Sequence, residues 1–325
     1  MALCADGAAA DGGWIKWELM AKTAFLFPGQ GSQFTGMGKS LCEASAAAKA
    51  VFDAADAALG FPISELCFGG PDEELKKTEN TQPALLTVSV AAFAVLTERG
   101  LRPDFVAGHS LGEYSALVAA GALPFADAVR IVRKRGQYMQ QAVPQGVGAM
   151  AALLKLPEGK LDEILAAAAE GEVVTAANLN SPDQIVIAGH AGAVARAMEL
   201  AKAAGAKRAI ALPVSAPFHC PLMRPAQELL QVDLDAAPFA DFGVPLVNNW
   251  QARLISTGAE AREGLYQQVP NPVRWIESMR VLIGEGVTQW VEVGAGAVLT
   301  GLLRNIDSTQ TCQKFGEAAD VVNLA

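Results

Sequence analysis

Phe105-Val106-Ala107-Gly108-His109-Ser110-Leu111-Gly112 carries the fold of this chain in miniature. A short apolar strand, Phe105 to Ala107, runs into a glycine-flanked serine, and an apolar helical stretch from Leu111 to Ala120 follows, ended by Gly121. Strand, tight turn and helix in that order form one unit of a parallel α/β sheet. A G-x-S-x-G on such a turn has the pattern of a nucleophile elbow. The two glycines leave room that Cβ atoms would fill, which pushes Ser110 into a cleft at a helix N-terminus. Free N–H groups there favour a developing oxyanion. A bare G-x-S-x-G arises often by chance; the strand-turn-helix context is what selects Ser110 as a candidate nucleophile.

Outward from this unit the same rhythm recurs. Ala24 to Phe27 is an apolar run stopped by Pro28-Gly29, a buried strand entering a tight loop. Helical stretches follow over Lys39–Leu59 and Pro83–Arg99, the second apolar enough to lie deep in a core. Near the other end, Gln289–Val293 is a strand, Gly294-Ala295-Gly296 a turn and Val298–Ile306 a helix. Strands alternating with helices predict a parallel sheet covered on both faces.

The rhythm changes between Val147 and Val214. A strand (Val147–Leu154), a helix (Pro157–Ala169), a strand (Val173–Ala177), a turn (Asn180-Ser181-Pro182-Asp183), a strand (Gln184–Ala188), a helix (Ala191–Ala204) and a strand (Lys207–Leu212) follow one another. A β-α-β-β-α-β order in so short a span predicts a ferredoxin-like split βαβ unit, inserted into the larger α/β domain. The expected division is a catalytic domain over residues 21–145 and 214–325 and a small subdomain over 146–213, with no internal repeat. Residues 1–20 read as a disordered extension or appended leader. Rich in Ala and Gly, with Asp6 and Asp11 and no basic start or apolar centre, they are not expected to be a secretory signal.

Composition bounds the function. With 51% hydrophobic and 18% charged residues, the chain of 325 residues can bury a sizeable core. A net charge of −9 argues against a general polyanion binder, so no nucleic-acid partner is expected. Cys4, Cys42, Cys67, Cys220 and Cys312 are scattered, odd in number and without a C-x-x-C pair. That pattern suits reduced thiols in a cytoplasmic protein and no metal site. No stretch of roughly 18–20 uncharged apolar residues, the length a membrane helix needs, stands out.

A serine hydroxyl needs a base, and the chain has three histidines. His109 adjoins Ser110, and neighbouring side chains diverge on a sharp elbow. His190 sits at a strand-to-helix junction and reads as a turn or surface residue. His219, in Pro217-Phe218-His219-Cys220-Pro221, lies where the small subdomain rejoins the large one, and a loop at such a junction faces the cleft. His219 is the expected base. No acidic residue presents itself to orient the imidazole, and a backbone or amide carbonyl suffices for fixing a tautomer.

Pro28-Gly29-Gln30-Gly31-Ser32-Gln33 lets the backbone approach a ligand and supply oxyanion N–H groups. It is not a dinucleotide fingerprint, because Phe34 stands where G-x-G-x-x-G needs glycine. Gly38-Lys39-Ser40 is not a P-loop, because Gln33 stands where its first glycine belongs. Arg130, Arg133, Lys134 and Arg135 cluster on a helix over Ala126–Met139, which a solvated face explains. Arg135, before Gly136, is also placed to point inward, where a guanidinium can grip a carboxylate through two parallel hydrogen bonds.

Taken together, Phe27-Pro28-Gly29-Gln30-Gly31-Ser32-Gln33, Gly108-His109-Ser110-Leu111-Gly112-Glu113, Arg135-Gly136, Phe218-His219, Asn271-Pro272-Val273 and Glu292-Val293-Gly294-Ala295-Gly296-Ala297-Val298-Leu299 occur in order. The chain resembles the malonyl-CoA:acyl carrier protein transacylases, free-standing enzymes of dissociated fatty-acid synthesis, from about Ala24 to Ile306. Gly294-Ala295-Gly296 departs from the family's usual Gly-Pro-Gly, a change a turn tolerates. The resemblance implies an α/β-hydrolase-like large domain with a ferredoxin-like insertion. It implies that Ser110 is acylated, that His219 is the base and that the N–H groups of Gln30 and Leu111 form the oxyanion hole. Arg135 would hold the malonyl carboxylate and the main-chain carbonyl of Gln268 would orient His219. Phe218, where methylmalonyl-taking relatives tend to have Ser, would exclude an extra methyl.

The implied reaction is ping-pong: malonyl passes from malonyl-CoA to Ser110, then to the phosphopantetheine thiol of an acyl carrier protein. No cofactor, metal or membrane enters it, the carrier protein brings its own phosphopantetheine, and a cytoplasmic monomer is expected. Two alternatives use the same residues differently: a serine hydrolase or thioesterase with water as acceptor, and a non-catalytic carrier-binding subunit.

Overall fold

The computed structural model describes residues 21–214 and 216–324; the extension expected over residues 1–20 lies outside them. Among the described residues, ten strands form two sheets: β1 (Lys22–Phe27), β2 (Phe105–Gly108), β3 (Gly148–Leu154), β4 (Val174–Ser181), β5 (Gln184–His190), β6 (Arg208–Ala211), β7 (Leu246–Val247), β8 (Leu254–Ile255), β9 (Val287–Val293) and β10 (Cys312–Phe315). The larger sheet runs β10-β9-β1-β2-β7-β8, parallel throughout except for β8 at its edge. The helices are α1 (Lys39–Ala44), α2 (Ala46–Leu59), α3 (Ile63–Gly69), α4 (Asp72–Lys76), α5 (Thr78–Glu98), α6 (Gly112–Ala119), α7 (Phe125–Gln141), α8 (Leu161–Ala169), α9 (Ala191–Ala203), α10 (Arg224–Ala236), α11 (Gly258–Gln268), α12 (Trp275–Gly284) and α13 (Val298–Ile306).

Strand β1 shows why both faces of the large sheet are covered. Its side chains alternate with the pleat. Phe25 and Phe27 enter a core shared with Leu85 and Val88 of α5, while Ala24 and Leu26 enter a second core with Trp275, Met279 and Leu303. A run apolar at every position is what a doubly covered parallel strand requires. Helix α5 is buried on nearly all sides. It is the one helix among the described residues long and apolar enough to cross a membrane, yet 83% of its apolar window is packed inside the protein, as in a soluble core helix.

Two expectations need correcting. Lys39–Leu59 is not one helix: the chain leaves helical geometry at Ser45 (φ −141°, ψ 126°), whose hydroxyl caps α2 by accepting from the Ala48 N–H. The turn expected over Asn180-Ser181-Pro182-Asp183 is shorter, since Asn180 and Ser181 complete β4 and only Pro182-Asp183 separate it from β5.

The second sheet, antiparallel in the order β4-β5-β3-β6, takes α8 and α9 on one face. Its other face, with Met150, Ala152, Ala177 and Val186, packs on Phe218, Cys220 and Leu222 of the larger unit. At the β4 edge the backbone is bonded to that unit. Asn178 bridges to Val273, Leu179 N donates to Val273 O at 2.9 Å, and Val273 N donates to Ala177 O at 2.9 Å. The molecule is thus mixed α/β, with a largely parallel sheet and a separate antiparallel one.

Candidate active site

The site begins where β2 ends. Gly108 and Gly112 are obligatory there, because a Cβ on Gly108 would strike the Gly112 carbonyl and one on Gly112 would strike the Phe27 carbonyl. That close crossing turns the chain so sharply that Ser110 sits at φ 52°, a region side chains avoid unless the surroundings hold them there. Asn249 does the holding: its Oδ1 accepts from Ser110 N at 2.7 Å and its Nδ2 donates to Gly108 O at 2.7 Å.

Of the three histidines, His219 meets the serine, with 2.7 Å between Ser110 Oγ and His219 Nε2. It is buried and also left-handed, at φ 57°. Its Nδ1 lies 2.9 Å from the Gln268 carbonyl oxygen, which can only accept, so Nδ1 carries the proton and Nε2 is left as acceptor toward the serine. Burial first, then the Arg135 charge, pushes the imidazole down to about 3, so it is neutral at ordinary pH. His109 points elsewhere: its Nε2 meets Asn180 Oδ1 at 2.7 Å and its ring lies against Trp275. His190 ends β5, with Nδ1 accepting from Val173 N.

Arg135 turns inward from α7 and is 2% exposed, unlike its neighbour Arg130. Its Nη1 donates to Gln82 Oε1 at 2.6 Å, and its Nη2 to Gln268 Oε1 at 2.9 Å and to Ser110 Oγ at 3.2 Å. The guanidinium also lies over the Tyr114 ring, 5.6 Å from its centroid. Desolvation lowers its pKa, with Tyr114 and Glu113 opposing; a guanidinium nonetheless stays charged. No carboxylate oxygen lies within ion-pair distance of it among the described residues.

These groups surround a cavity of about 120 Å³ lined by Gln30, Leu111, Arg135, Met139, Phe218 and His219, among others. At about 30 Å³ per water in the liquid, that is room for a small acyl unit and not a long chain. The cavity continues into a groove of about 600 Å³ between the two sheets, sharing Gln30, His109, Asn178, Leu212 and Val214 with it. Leu111 precedes α6 with dihedrals already helical (φ −49°, ψ −40°), so its N–H is among those no helical carbonyl can reach. The Gln30 side chain is tied back by Thr78 Oγ1, at 2.8 Å from Oε1.

All seven residues singled out from the sequence fall in or beside this one cavity, although Gln268 contributes more than the expected carbonyl. Its amide Nε2 donates to Ser110 O at 3.0 Å and to Glu113 Oε2 at 2.7 Å. Asn249, Gln82 and Glu113 were not foreseen. Glu113 had a signal: an acid three residues after the serine, on an otherwise apolar helix. Asn249 had none, lying between strands of two residues each.

The arrangement is that of an acyl transferase, and the family model described as acyl transferase domain matches residues 24–319. A malonyl CoA-acyl carrier protein transacylase of Bacillus subtilis (strain 168) is 54% identical over 289 residues, spanning 89% of this chain and 91% of its own. An acyl carrier protein S-malonyltransferase from Vibrio cholerae superposes with a TM-score of 0.92 at 44% identity, covering 94% of this chain and all of its own. A malonyl-transacylase solved in complex with its type II PKS acyl-carrier protein superposes at 0.91, with 44% identity over 93% of this chain and 98% of its own. The chain belongs to the malonyl CoA-acyl carrier protein transacylase family.

Proposed function

We propose that the protein moves the malonyl group of malonyl-CoA to the phosphopantetheine thiol of an acyl carrier protein through a malonyl ester on Ser110, supplying fatty-acid synthesis. The observation that carries this reading is Arg135. A buried guanidinium, bonded to two neutral amides and 3.2 Å from Ser110 Oγ, is a site for the carboxylate of a short diacid at the distance where its other carbonyl meets the serine.

His219 Nε2 takes the Ser110 proton as Oγ attacks the thioester carbon. The oxyanion forms against the N–H groups of Gln30 and Leu111, and the proton passes to the departing CoA sulfur. The carrier thiol then attacks the ester, with His219 serving in the same two roles in reverse. The Gln268 carbonyl keeps the imidazole in the reactive tautomer, and Phe218 on the cavity wall disfavours a branched acyl group, a discrimination of about 1–3 kcal/mol. The large unit, residues 21–145 and 214–325, is α/β-hydrolase-like; residues 146–213 form a ferredoxin-like insertion whose β4-β5-β3-β6 order and two helices on one face support that description. The protein works as a cytoplasmic monomer without a cofactor of its own.

Intact mass after exposure to malonyl-CoA tests the reading. Wild type gains one malonyl group and Ser110→Ala gains none; adding holo acyl carrier protein moves the label to the carrier. Release as free malonate, faster than transfer, would establish a hydrolase instead.

A further inference from the structure

Among the described residues Arg135 is a charge with no counter-ion in contact, buried to 2% exposure at the cavity wall. Such a charge is costly unless another compensates it through the low-dielectric interior. The nearest compensating group is one amide away. Glu113, fully buried on α6, accepts from Gln268 Nε2 at 2.7 Å and from Asn249 N at 3.1 Å, both through Oε2. The opposite end of the same Gln268 amide faces Arg135, with Oε1 2.9 Å from Nη2. Carboxylate, amide and guanidinium thus form one polarised row in which every dipole points the same way. No donor reaches Glu113 Oε1 among the described residues.

The other groups packed around Glu113 are neutral. They are Gln268 and Gly264 from α11, and Asn248 and Asn249 after β7. The ionisable groups that act on it are Arg135, from α7, and its own neighbour Tyr114. Burial raises the pKa of Glu113 most, and the bonds from Gln268 and Asn249 and then the charge of Arg135 oppose it, so neutralising Arg135 moves Glu113 toward its protonated form.

We propose that Glu113 is the resting counter-charge of Arg135, relayed through the Gln268 amide, and that it takes up a proton when the carboxylate of an acyl substrate binds Arg135. This rests on the assignment of Arg135 to the malonyl carboxylate. With the substrate in place, the guanidinium has an ion pair of its own and no longer stabilises the buried charge of Glu113. The proton is drawn from the medium and is held at the buried Oε1, which no donor reaches among the described residues. Acylation itself is proton-neutral: the Oγ–acyl bond forms, the C–S bond breaks, and the serine proton leaves on the CoA thiol. Any proton drawn from the medium is then the proton of Glu113. The burial that opposes its ionised form, and sets its pKa near neutrality at about 7, makes the exchange small enough to occur at working pH. Glu113 in this scheme is a positioning residue: it tunes how strongly Arg135 calls for a carboxylate, without touching substrate.

The test is stopped-flow acylation of the full-length protein by malonyl-CoA in weak buffer with a pH indicator near pH 8, corrected for the proton given up by the released CoA thiol. Wild type should take up roughly half to one proton per malonyl-serine formed, and Glu113→Gln, which keeps an acceptor for Gln268 but cannot titrate, should take up none. Malonylation of wild type without proton uptake overturns the proposal, as does equal uptake in Glu113→Gln. A wild type that is not malonylated at all would instead remove the assignment of Arg135 beneath it, a result the mass spectrum reports separately.

Discussion

Ser110 Oγ and His219 Nε2 are 2.7 Å apart although the residues are 109 positions distant, and both sit at left-handed backbone angles, φ 52° and 57°. Neither conformation is local preference; each is held by packing that also aims the side chain. The serine is pinned by Asn249 and the crossing of two glycines, the histidine by the Gln268 carbonyl. The geometry of this candidate site is therefore set by the framework before any substrate arrives.

Arg135→Ala should separate acyl groups by charge. Leaving a substrate carboxylate unpaired in a confined cavity costs about 2–5 kcal/mol, so kcat/KM for malonyl-CoA should fall roughly 30- to several-thousand-fold. Neutral acyl thioesters should retain some reaction. Equal losses on malonyl-CoA and acetyl-CoA would rule out the role assigned to Arg135.

The acid limb of acylation should lie far below that of a free imidazole. Burial, then Arg135, holds His219 down to about 3. Measured with a neutral acyl thioester, so that no substrate carboxylate engages Arg135, the rate constant should show no half-loss at the free-imidazole value as pH falls from 8 through 6.5. A half-loss near 6.5 would mean a solvated base. The same shift has a stability sign. The unfolded histidine gains its proton near 6.5 and the folded one only near 3, so His219 favours the folded state above 6.5 and that contribution is lost as pH drops toward 3.

Glu113 works in the opposite direction. Its folded form holds a proton up to about 7 against 4.5 for the ordinary group, so the stability it contributes is complete below 4.5 and lost as pH rises through 7. Chemical denaturation at the two ends of that window should show wild type losing about 1–3 kcal/mol relative to Glu113→Gln as pH rises. Parallel curves for the two proteins would show a carboxyl that titrates normally.

Asn249→Ala should damage the elbow without touching the substrate. It removes the partners of Ser110 N and Gly108 O, both at 2.7 Å, leaving buried backbone groups unsatisfied at a cost of about 1–3 kcal/mol each. A nucleophile displaced by a fraction of an ångström should lower kcat about 10- to 100-fold while KM for malonyl-CoA changes little. A KM effect alone would place Asn249 in substrate binding.

What the chain disclosed of itself follows from the range of the forces involved. The elbow, the apolar β1 run and the β-α-β-β-α-β order are local patterns, and each appears in the expected place and order, although α8 starts at Leu161, four residues after Pro157, and β4 runs on to Ser181. His219 was reachable by elimination among three histidines and by its position at a junction. Ser45 was not read as a helix break, because a cap competes with helix propensity over a single residue. The amide shell was harder still. Gln268 sits at the end of α11, Gln82 within α5 and Asn249 in a turn, and only the fold brings their polar ends around Arg135 and Ser110. An uncharged side chain that works by orientation leaves little trace in a one-dimensional pattern, whereas a glycine-bracketed serine leaves a strong one.

The antiparallel sheet enters and leaves the chain on neighbouring strands, β3 and β6, and is bonded to the larger unit again along its far edge, where Val273 accepts from Leu179 N and donates to Ala177 O. A lobe hung by one side swings like a door; a lobe fastened along both sides behaves as a lintel. The groove beneath it is thus a fixed passage, and an acyl group must be admitted by threading along it. Selection by size and charge is then expected on the way in, at walls already standing, and the ester proposed on Ser110 would be sheltered by architecture instead of by a gate that must close behind it.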